Sequence, residues 1–281
     1  MPSITTRLSK GVDDAIAHLP LALVPIALAL ADANKIGAVL AFDGVHVGVR
    51  FTLPVSVLSV WSFVSIPNAG GAVSAGLSPG DIADPSVLAF AVTGIVLTSA
   101  LSAGYFGALA NAPAGEPYRF AANVRRYFAP FLAFSVAPVA ALSPLILLSG
   151  APAGVGIAVL VLVVPVVVVA AYLFYATPYL LVLRDTDLVS ALRASYALAT
   201  EGGAYLSYAV GFVGAVAVVS PPLSAFVVSV PVIGLAVGVP VGAVLGLAGN
   251  LTTMRFVADI DPESAGFDCN GDDRGSDAEE R

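Results

Sequence analysis

The side chains best suited to hold a metal ion lie near the carboxyl terminus. Asp268, Asn270, Asp272 and Glu279 place oxygen atoms at positions one, three, five and twelve of a loop, which is the spacing of a calcium-binding EF-hand. Position six is Asp273, although the turn of an EF-hand needs glycine there. No apolar helix pattern flanks the segment, so the sequence favours a solvated acidic tail and predicts no metal site.

Nucleophiles and bases elsewhere in the chain do not form a catalytic pattern. The sequence has two histidines, His18 and His46, and one cysteine, Cys269. These numbers exclude a histidine-rich metal centre and an intrachain disulfide. Ser/His/Asp, HExxH, CxxC and phosphate-loop spacings do not occur. The sequence therefore predicts no catalytic residues and no cofactor, and we expect the protein not to be an enzyme.

Three long stretches without any charged residue or histidine determine the fold class. They run from Pro85 to Gly115, from Tyr127 to Leu183 and from Gly202 to Met254. A helix needs roughly 20 apolar residues to cross a bilayer. Charged residues make up 11% of the chain, against about 25% in soluble domains. The sequence predicts an all-α, polytopic integral membrane bundle whose main partner is the lipid bilayer.

The apolar segments predict about six transmembrane helices within a membrane domain at residues 1–258. The expected spans are Ala15–Ala31, Pro85–Ala110, Tyr127–Ser149, Gly154–Leu183 and two more within Ala204–Met254, with the last turn between Ser220 and Pro231. The first helix is either retained or cleaved as a signal peptide. Asp13 and Asp14 favour retention, because a signal peptide carries positive charge at that position.

Residues 34–84 predict an external insertion of irregular or β-like structure. Val45 to Leu53 alternates apolar and polar residues as a strand does. Leu53 to Ile66 is apolar but contains Pro54 and is short for a span, so a re-entrant or interfacial segment is favoured over a crossing. In that arrangement Trp61 would lie at the depth of the lipid headgroups.

Arginines predict the orientation of the chain. The basic residues that set it are Arg119, Arg125, Arg126, Arg184, Arg193 and Arg255. The positive-inside rule places them in the cytoplasm, with both termini there and the chain in the cytoplasmic membrane. Residues 187–200 predict an amphipathic surface helix. Residues 259–281 carry nine acids against two bases, which predicts a disordered cytoplasmic tail and no affinity for nucleic acid.

Four glycines form the most regular pattern in the sequence. Gly234, Gly238, Gly242 and Gly246 recur every four residues in the last predicted span, and Asn250 follows one step further. Small residues on one face of a membrane helix allow another backbone to approach closely. The pattern predicts a packing face, whose partner is another helix of this chain or a second copy.

One part of the sequence resembles a known family. Tyr175–Val182 followed by Ser190–Gly202 resembles the signature of a loosely defined group of multi-span proteins, common in haloarchaea, that are similar to the membrane domain of some glycerophosphodiester phosphodiesterases. The resemblance implies an integral membrane protein, and no hydrolase activity follows because the phosphodiesterase barrel is missing. Two lysines and an acidic tail also suggest a halophilic archaeon.

Two functions from different classes follow from this pattern. The first is a non-enzymatic membrane scaffold or assembly factor, which binds a membrane protein partner or a second copy through helix packing. The alternative is a passive channel or carrier for a small neutral or lipid-like solute. A solidly packed bundle would favour the first function, whereas a water-filled cavity among the spans would favour the second.

Overall fold

The computed structural model describes residues 4–67, 85–112, 117–146 and 153–264, and the regular secondary structure of these residues is helical. The helices are α1 Ile4–Ala17, α2 Leu23–Ala31, α3 Ala33–Leu40, α4 Pro85–Asn111, α5 Phe120–Ile146, α6 Ala153–Phe174, α7 Thr177–Leu183, α8 Leu188–Glu201, α9 Ala204–Ser229 and α10 Pro231–Ile260. Five segments are long and apolar enough to cross a bilayer: 85–111, 120–144, 161–183, 204–229 and 231–260. The predicted all-α polytopic membrane bundle is confirmed.

The first predicted span is not one straight helix. The chain bends by 93° between residues 9–17 and 19–31, so a sixth crossing exists only if this bent pair counts as one. Pro20 lies in the first turn of the short 3-10 helix Leu19–Ala22, and proline cannot continue a preceding helix. The amphipathic α1 instead packs across α10, where a Cβ at Gly11 would collide with Thr252 and the carbonyl of Ala248.

Helix α10 is the centre of the bundle. Half of its most apolar window is buried, against 11–28% for the other four spans. Its neighbours include α1, α2 and α9. Proline at residue 231 starts the helix, and the turn between α9 and α10 is the single residue Val230, at the edge of the range predicted from sequence.

Aromatic side chains fill one half of the bundle. Tyr175 stacks on Tyr205 with ring centroids 4.3 Å apart, and Tyr208 stacks on Phe256 at 4.0 Å. The hydroxyl of Tyr175 donates to the carbonyl of Tyr205 over 3.1 Å. Burial of such rings supplies much of the packing between helices in a membrane, where no hydrophobic drive brings the helices together.

Helix α8 has the ends that its sequence indicates. Asp187 accepts hydrogen bonds from the backbone of Val189 and Ser190, which satisfies two free amides of the first turn. Gly202 ends the helix with a backbone φ of 67°, a conformation that residues other than glycine rarely adopt. One face is buried through Ala191, Ser195 and Ala199, so α8 packs on the bundle in addition to lying at its end.

One boundary differs from the sequence expectation. Helix α10 continues to Ile260, and Asp261 is buried with 3% of its surface exposed. The chain therefore stays packed beyond residue 258, where the acidic tail was expected to begin. The EF-hand-like residues Asp268 to Glu279 lie outside the described residues, as do residues 68–84 of the predicted external insertion.

Candidate functional site: a re-entrant hairpin between α9 and α10

Residues 45–66 form a largely non-helical hairpin, hereafter the re-entrant hairpin, that packs against α9 and α10. Its descending arm, residues 45–53, begins at the end of the bundle where α9 stops at Ser229, which we call the far end. An apex at residues 54–58 follows, and the return arm, residues 59–66, runs back towards the far end. Asn250 holds the apex and lies about 28 Å along α10 from Pro231, at 1.5 Å per residue. That depth approaches the roughly 30 Å of a hydrocarbon core.

Serines of α9 hold the descending arm. The amide of His46 donates to Ser229 Oγ over 3.0 Å, and the amide of Arg50 donates to Ser220 Oγ over 2.7 Å. Four extended residues span about 13 Å, and nine helical residues span about the same distance. An extended chain can therefore follow this face of α9 in register and satisfy its amides with serine hydroxyls.

The alternation in Val45–Leu53 has this structural basis. The described residues contain no strand there, contrary to the β-like expectation, yet the arm is extended. Val45, Val47 and Phe51 are exposed by 66–84%, while the even-numbered residues face the protein. The alternation of apolar and polar residues reflects the contact of one side of the arm with α9. It does not reflect pairing with another strand.

Asn250 holds the apex. Its Oδ1 accepts from the amide of Leu58 at 3.1 Å, and its Nδ2 donates to the carbonyl of Ser56 at 3.1 Å and to the hydroxyl of Tyr179 at 3.2 Å. Asn250 is completely buried. Non-helical backbone at membrane depth needs partners of this kind, because no water is present to satisfy it.

The four glycines meet two different partners. Gly234 and Gly238 lie against Val227 of α9, whereas a Cβ at Gly242 would stand 2.6 Å from the Cα of Val60. A Cβ at Gly246 would overlap the carbonyl oxygen of Leu58. Half of the glycine face therefore packs against the re-entrant hairpin of the same chain, a partner that was not considered from sequence.

The return arm is tied to three elements. The amide of Ser65 donates to Ser224 Oγ of α9 over 2.8 Å, and Thr52 Oγ1 donates to the carbonyl of Ser62 over 2.9 Å. Trp61 Nε1 donates to the carbonyl of Ala29 at the end of α2 over 2.8 Å. Trp61 is only 4% exposed, so its indole ring packs inside the protein, and its expected depth at the lipid headgroups stays a prediction.

The re-entrant hairpin carries two ionisable side chains that the sequence analysis did not single out as a site. Arg50 and His46 are half-buried, and Arg50 Nε and His46 Nε2 are buried atoms without a hydrogen-bond partner. A charge at the centre of a bilayer costs about 2.5–3.5 kcal/mol in insertion experiments. The sequence signal that could have identified them is the alternation in the descending arm, because it places His46, Gly48 and Arg50 on the same side of the extended chain.

The arginines that predict orientation gather at one end of the bundle, hereafter the basic end. Arg126 pairs with Asp185, Arg255 pairs with Asp14, and Arg184 pairs with both Asp261 and Glu263. Arg125 and Arg193 are exposed there. These pairs place α1, the start of α5, the α7–α8 connection and the end of α10 side by side, without showing on which side of a membrane they lie.

Arg184 forms ion pairs with two acidic residues at the end of α10. Its Nε donates to Asp261 Oδ2 over 2.8 Å, and its Nη1 donates to Glu263 over 2.6 Å. Burial alone would raise the pKa of Asp261, but hydrogen bonds from Arg184 and Ser264 together with the charge of Arg184 lower it below its usual value. Hydrogen bonding to Asp261 raises the pKa of Arg184.

A cavity of about 230 Å³ also lies at the basic end. Its polar lining includes Arg119, Arg126, Asn111, Asn123 and Tyr127. Tyr127 donates a 3.0 Å hydrogen bond to Asp185, which also pairs with Arg126. Within the ranges that the structure describes, no three His, Cys, Asp or Glu side chains cluster so as to hold a metal ion.

Comparisons with known proteins leave the family open. No family model, no curated protein and no solved structure matches the chain. The resemblance to the membrane domain of glycerophosphodiester phosphodiesterases therefore stays a prediction. Together, the apolar helices and the buried re-entrant hairpin identify a multi-pass integral membrane protein.

Proposed function

We propose that this chain is a non-enzymatic membrane scaffold or assembly factor that binds apolar helices of another membrane protein through α6. The observation that carries the proposal is the exposure of α6 between residues 161 and 169, where only Val163 is half-buried. Leu162, Val166 and Val168 are exposed by 58–71%, and the main contact of α6 with another helix is with α8. A membrane helix gains stability by packing, and a partner would supply that packing here.

The filled centre of the bundle supports a scaffold over a conduit. Tyr105, Tyr175, Tyr179 and Tyr205 are among the largest fully buried side chains. Phe106 packs edge-on against Tyr179 with ring centroids 5.1 Å apart. These rings occupy the space between α4, α7 and α9 where a pore would need water.

Site-specific photocrosslinking in native membranes tests the scaffold. A photoreactive residue at Val166 should yield one protein adduct of defined mass that also co-purifies in fixed stoichiometry. The matched control is Val218 of α9, which is 76% exposed on a helix whose other faces are packed, and it should label lipid. An adduct with a second copy of this chain would assign the surface to self-association, and lipid adducts at both positions would refute the proposal.

A passive channel or carrier for a small neutral or lipid-like solute is the second candidate. The re-entrant hairpin favours it, because non-helical backbone at membrane depth commonly occurs in channels and transporters. Proteoliposomes that shrink and recover in glycerol at the rate of empty liposomes would argue against this function. A faster recovery that is lost in Asn250→Ala, which loosens the apex, would argue for it.

We further propose that the basic end faces the cytoplasm, that the chain belongs to the cytoplasmic membrane, and that its source is haloarchaeal. The arginine distribution supports the orientation. In a Cys269→Ser background, a cysteine at Asp43 should react with an impermeant thiol reagent in intact cells, and one at Arg193 should not. Both residues are exposed, and the reverse result would invert the topology.

A further inference from the structure

We propose that Arg50 is the recognition group of an anion site at the far end of the bundle, and that its ligand is a phosphate-type oxyanion. The site consists of Arg50 and His46 on the descending arm and Ser65 on the return arm, and Ser220 of α9 fixes the backbone between Gly48 and Arg50. It is independent of the scaffold surface on α6 and of the ion pairs at the basic end.

The backbone around Arg50 is fixed. The amide of Arg50 and the carbonyl of Gly48 both bind Ser220 Oγ, at 2.7 and 3.3 Å. Because Ser220 lies nine residues before the end of α9, Arg50 starts about 13 Å below that end. The backbone of Arg50 is thus anchored to α9, and the buried Nε places that atom on the protein side of the arm.

The charge of Arg50 has no counterion among the described residues. No described carboxylate lies within ion-pair distance of its guanidinium, and its Nε–H is buried and unused. Arginine remains charged in proteins, and burial of an unpaired charge is costly. Arg50 as a whole is only half-buried, so part of its side chain is open to a ligand from outside.

Neighbouring groups add hydrogen-bonding capacity. A Cβ placed on Gly48 would stand 2.5 Å from Ser65 Oγ and 2.9 Å from His46 Nε2, so these two atoms converge beside Gly48. His46 Nε2 is buried without a partner. A guanidinium binds phosphate through two parallel hydrogen bonds, and a histidine with a serine provides further contacts to the remaining oxygens. The same chemistry would recognise a lipid phosphate or free inorganic phosphate.

Native mass spectrometry of the purified protein tests the site with three probes, which are phosphatidylglycerol, diacylglycerol and inorganic phosphate. We expect one tightly bound phosphatidylglycerol or one phosphate per chain, with at least tenfold weaker binding in Arg50→Gln and partial retention in Arg50→Lys. Arg193→Gln, at the opposite end, is the matched control and should bind as the wild type does. Competition by inorganic phosphate would identify a free anion, and binding of the lipid alone would identify a headgroup.

The single tryptophan separates loss of the site from loss of folding. Trp61 lies buried in the return arm, so its fluorescence reports whether the re-entrant hairpin is seated in each variant. Equal binding of the anionic probes by folded Arg50→Gln would overturn the proposal. It would also be overturned if diacylglycerol binds as well as phosphatidylglycerol, or if Asp81→Asn or Asp84→Asn releases new anion binding, because Arg50 would then have an internal counterion.

Discussion

Helices α10 and α6 are alike in sequence character but differ in what they contact. The apolar window of α10 and the window that begins in α6 both have a mean hydropathy of 2.2, yet 50% of the first and 22% of the second are buried. The difference lies in side-chain size. Glycine at every fourth residue of α10 admits the backbone of α9 and of the re-entrant hairpin, whereas the valines of α6 leave no such groove. Hydropathy indicates that a helix spans, and spacing of small residues indicates what it packs against.

Filling the glycine face of α10 should have the largest effect on stability. Gly246→Ala places a methyl group on the carbonyl oxygen of Leu58, and backbone atoms cannot turn aside as a side chain can. We expect a loss of at least about 2–3 kcal/mol in the free energy of unfolding, and a similar or larger loss for Gly242→Leu. Thermal unfolding in detergent, followed by Trp61 fluorescence, measures the effect.

The controls for this prediction lie on open or exposed positions. A Cβ at Gly214 of α9 meets no atom within 4 Å, so Gly214→Ala should be neutral or slightly stabilising. Val241→Leu, at a residue 44% exposed on α10, should be mild. Equal tolerance of Gly246→Ala and Gly214→Ala would mean that the re-entrant hairpin is not seated on α10.

Removal of the apex contacts should have the next largest effect. Asn250→Ala deprives the Leu58 amide and the Ser56 carbonyl of their partner, and each unsatisfied buried group costs about 1–3 kcal/mol. We expect a loss of about 2 kcal/mol, with faster hydrogen exchange confined to residues near the apex. Tyr179→Phe removes the hydroxyl that accepts from Asn250 Nδ2 but leaves both backbone contacts of Asn250 in place. It should cost less, so a larger loss in Tyr179→Phe would contradict this role of Asn250.

The Arg184–Asp261 ion pair links α7 to α10, since Arg184 directly follows α7 and Asp261 directly follows α10. Asp261→Asn should lower the free energy of unfolding by about 1–2 kcal/mol at neutral pH. The pKa of Asp261 in the folded protein lies below its usual value of 3.8. Its stabilisation is therefore complete above that value and is lost as the pH falls from about 4 through the folded pKa.

A pH series isolates this contribution. The difference in unfolding free energy between wild type and Asp261→Asn should be constant from pH 7 to about pH 5 and should shrink as the pH falls below about 4. A difference that grows on acidification would show that the pKa of Asp261 is raised. Val241→Leu, at an exposed apolar residue of α10, is a control that should show no such trend.

The sequence predicted the spans well because a bilayer demands long apolar helices with few charges. It also predicted the small face of α10, since small residues at a regular spacing permit another backbone to approach closely. The partner of that face was not predictable from sequence. Serine hydroxyls and the Asn250 amide can form hydrogen bonds with the backbone of almost any segment. Here they bind residues 46–65, which lie far from them in the sequence. Arg50 was missed because its burial depends on that pairing and not on its neighbours in the chain.

The smallest expected effect is on α6. Val166 is 66% exposed, and in detergent its neighbours are mobile chains that adapt to a new shape. Val166→Leu and Val168→Leu should therefore change the free energy of unfolding of the purified protein by less than about 0.5 kcal/mol. The same changes should weaken the complex isolated from native membranes if a partner packs on α6, because close packing tolerates added volume poorly. If the stability of the purified protein is unchanged while the complex is weakened, α6 contacts a protein partner. If the complex is also unchanged, α6 faces lipid, and α10 is the only closely packed span of the two.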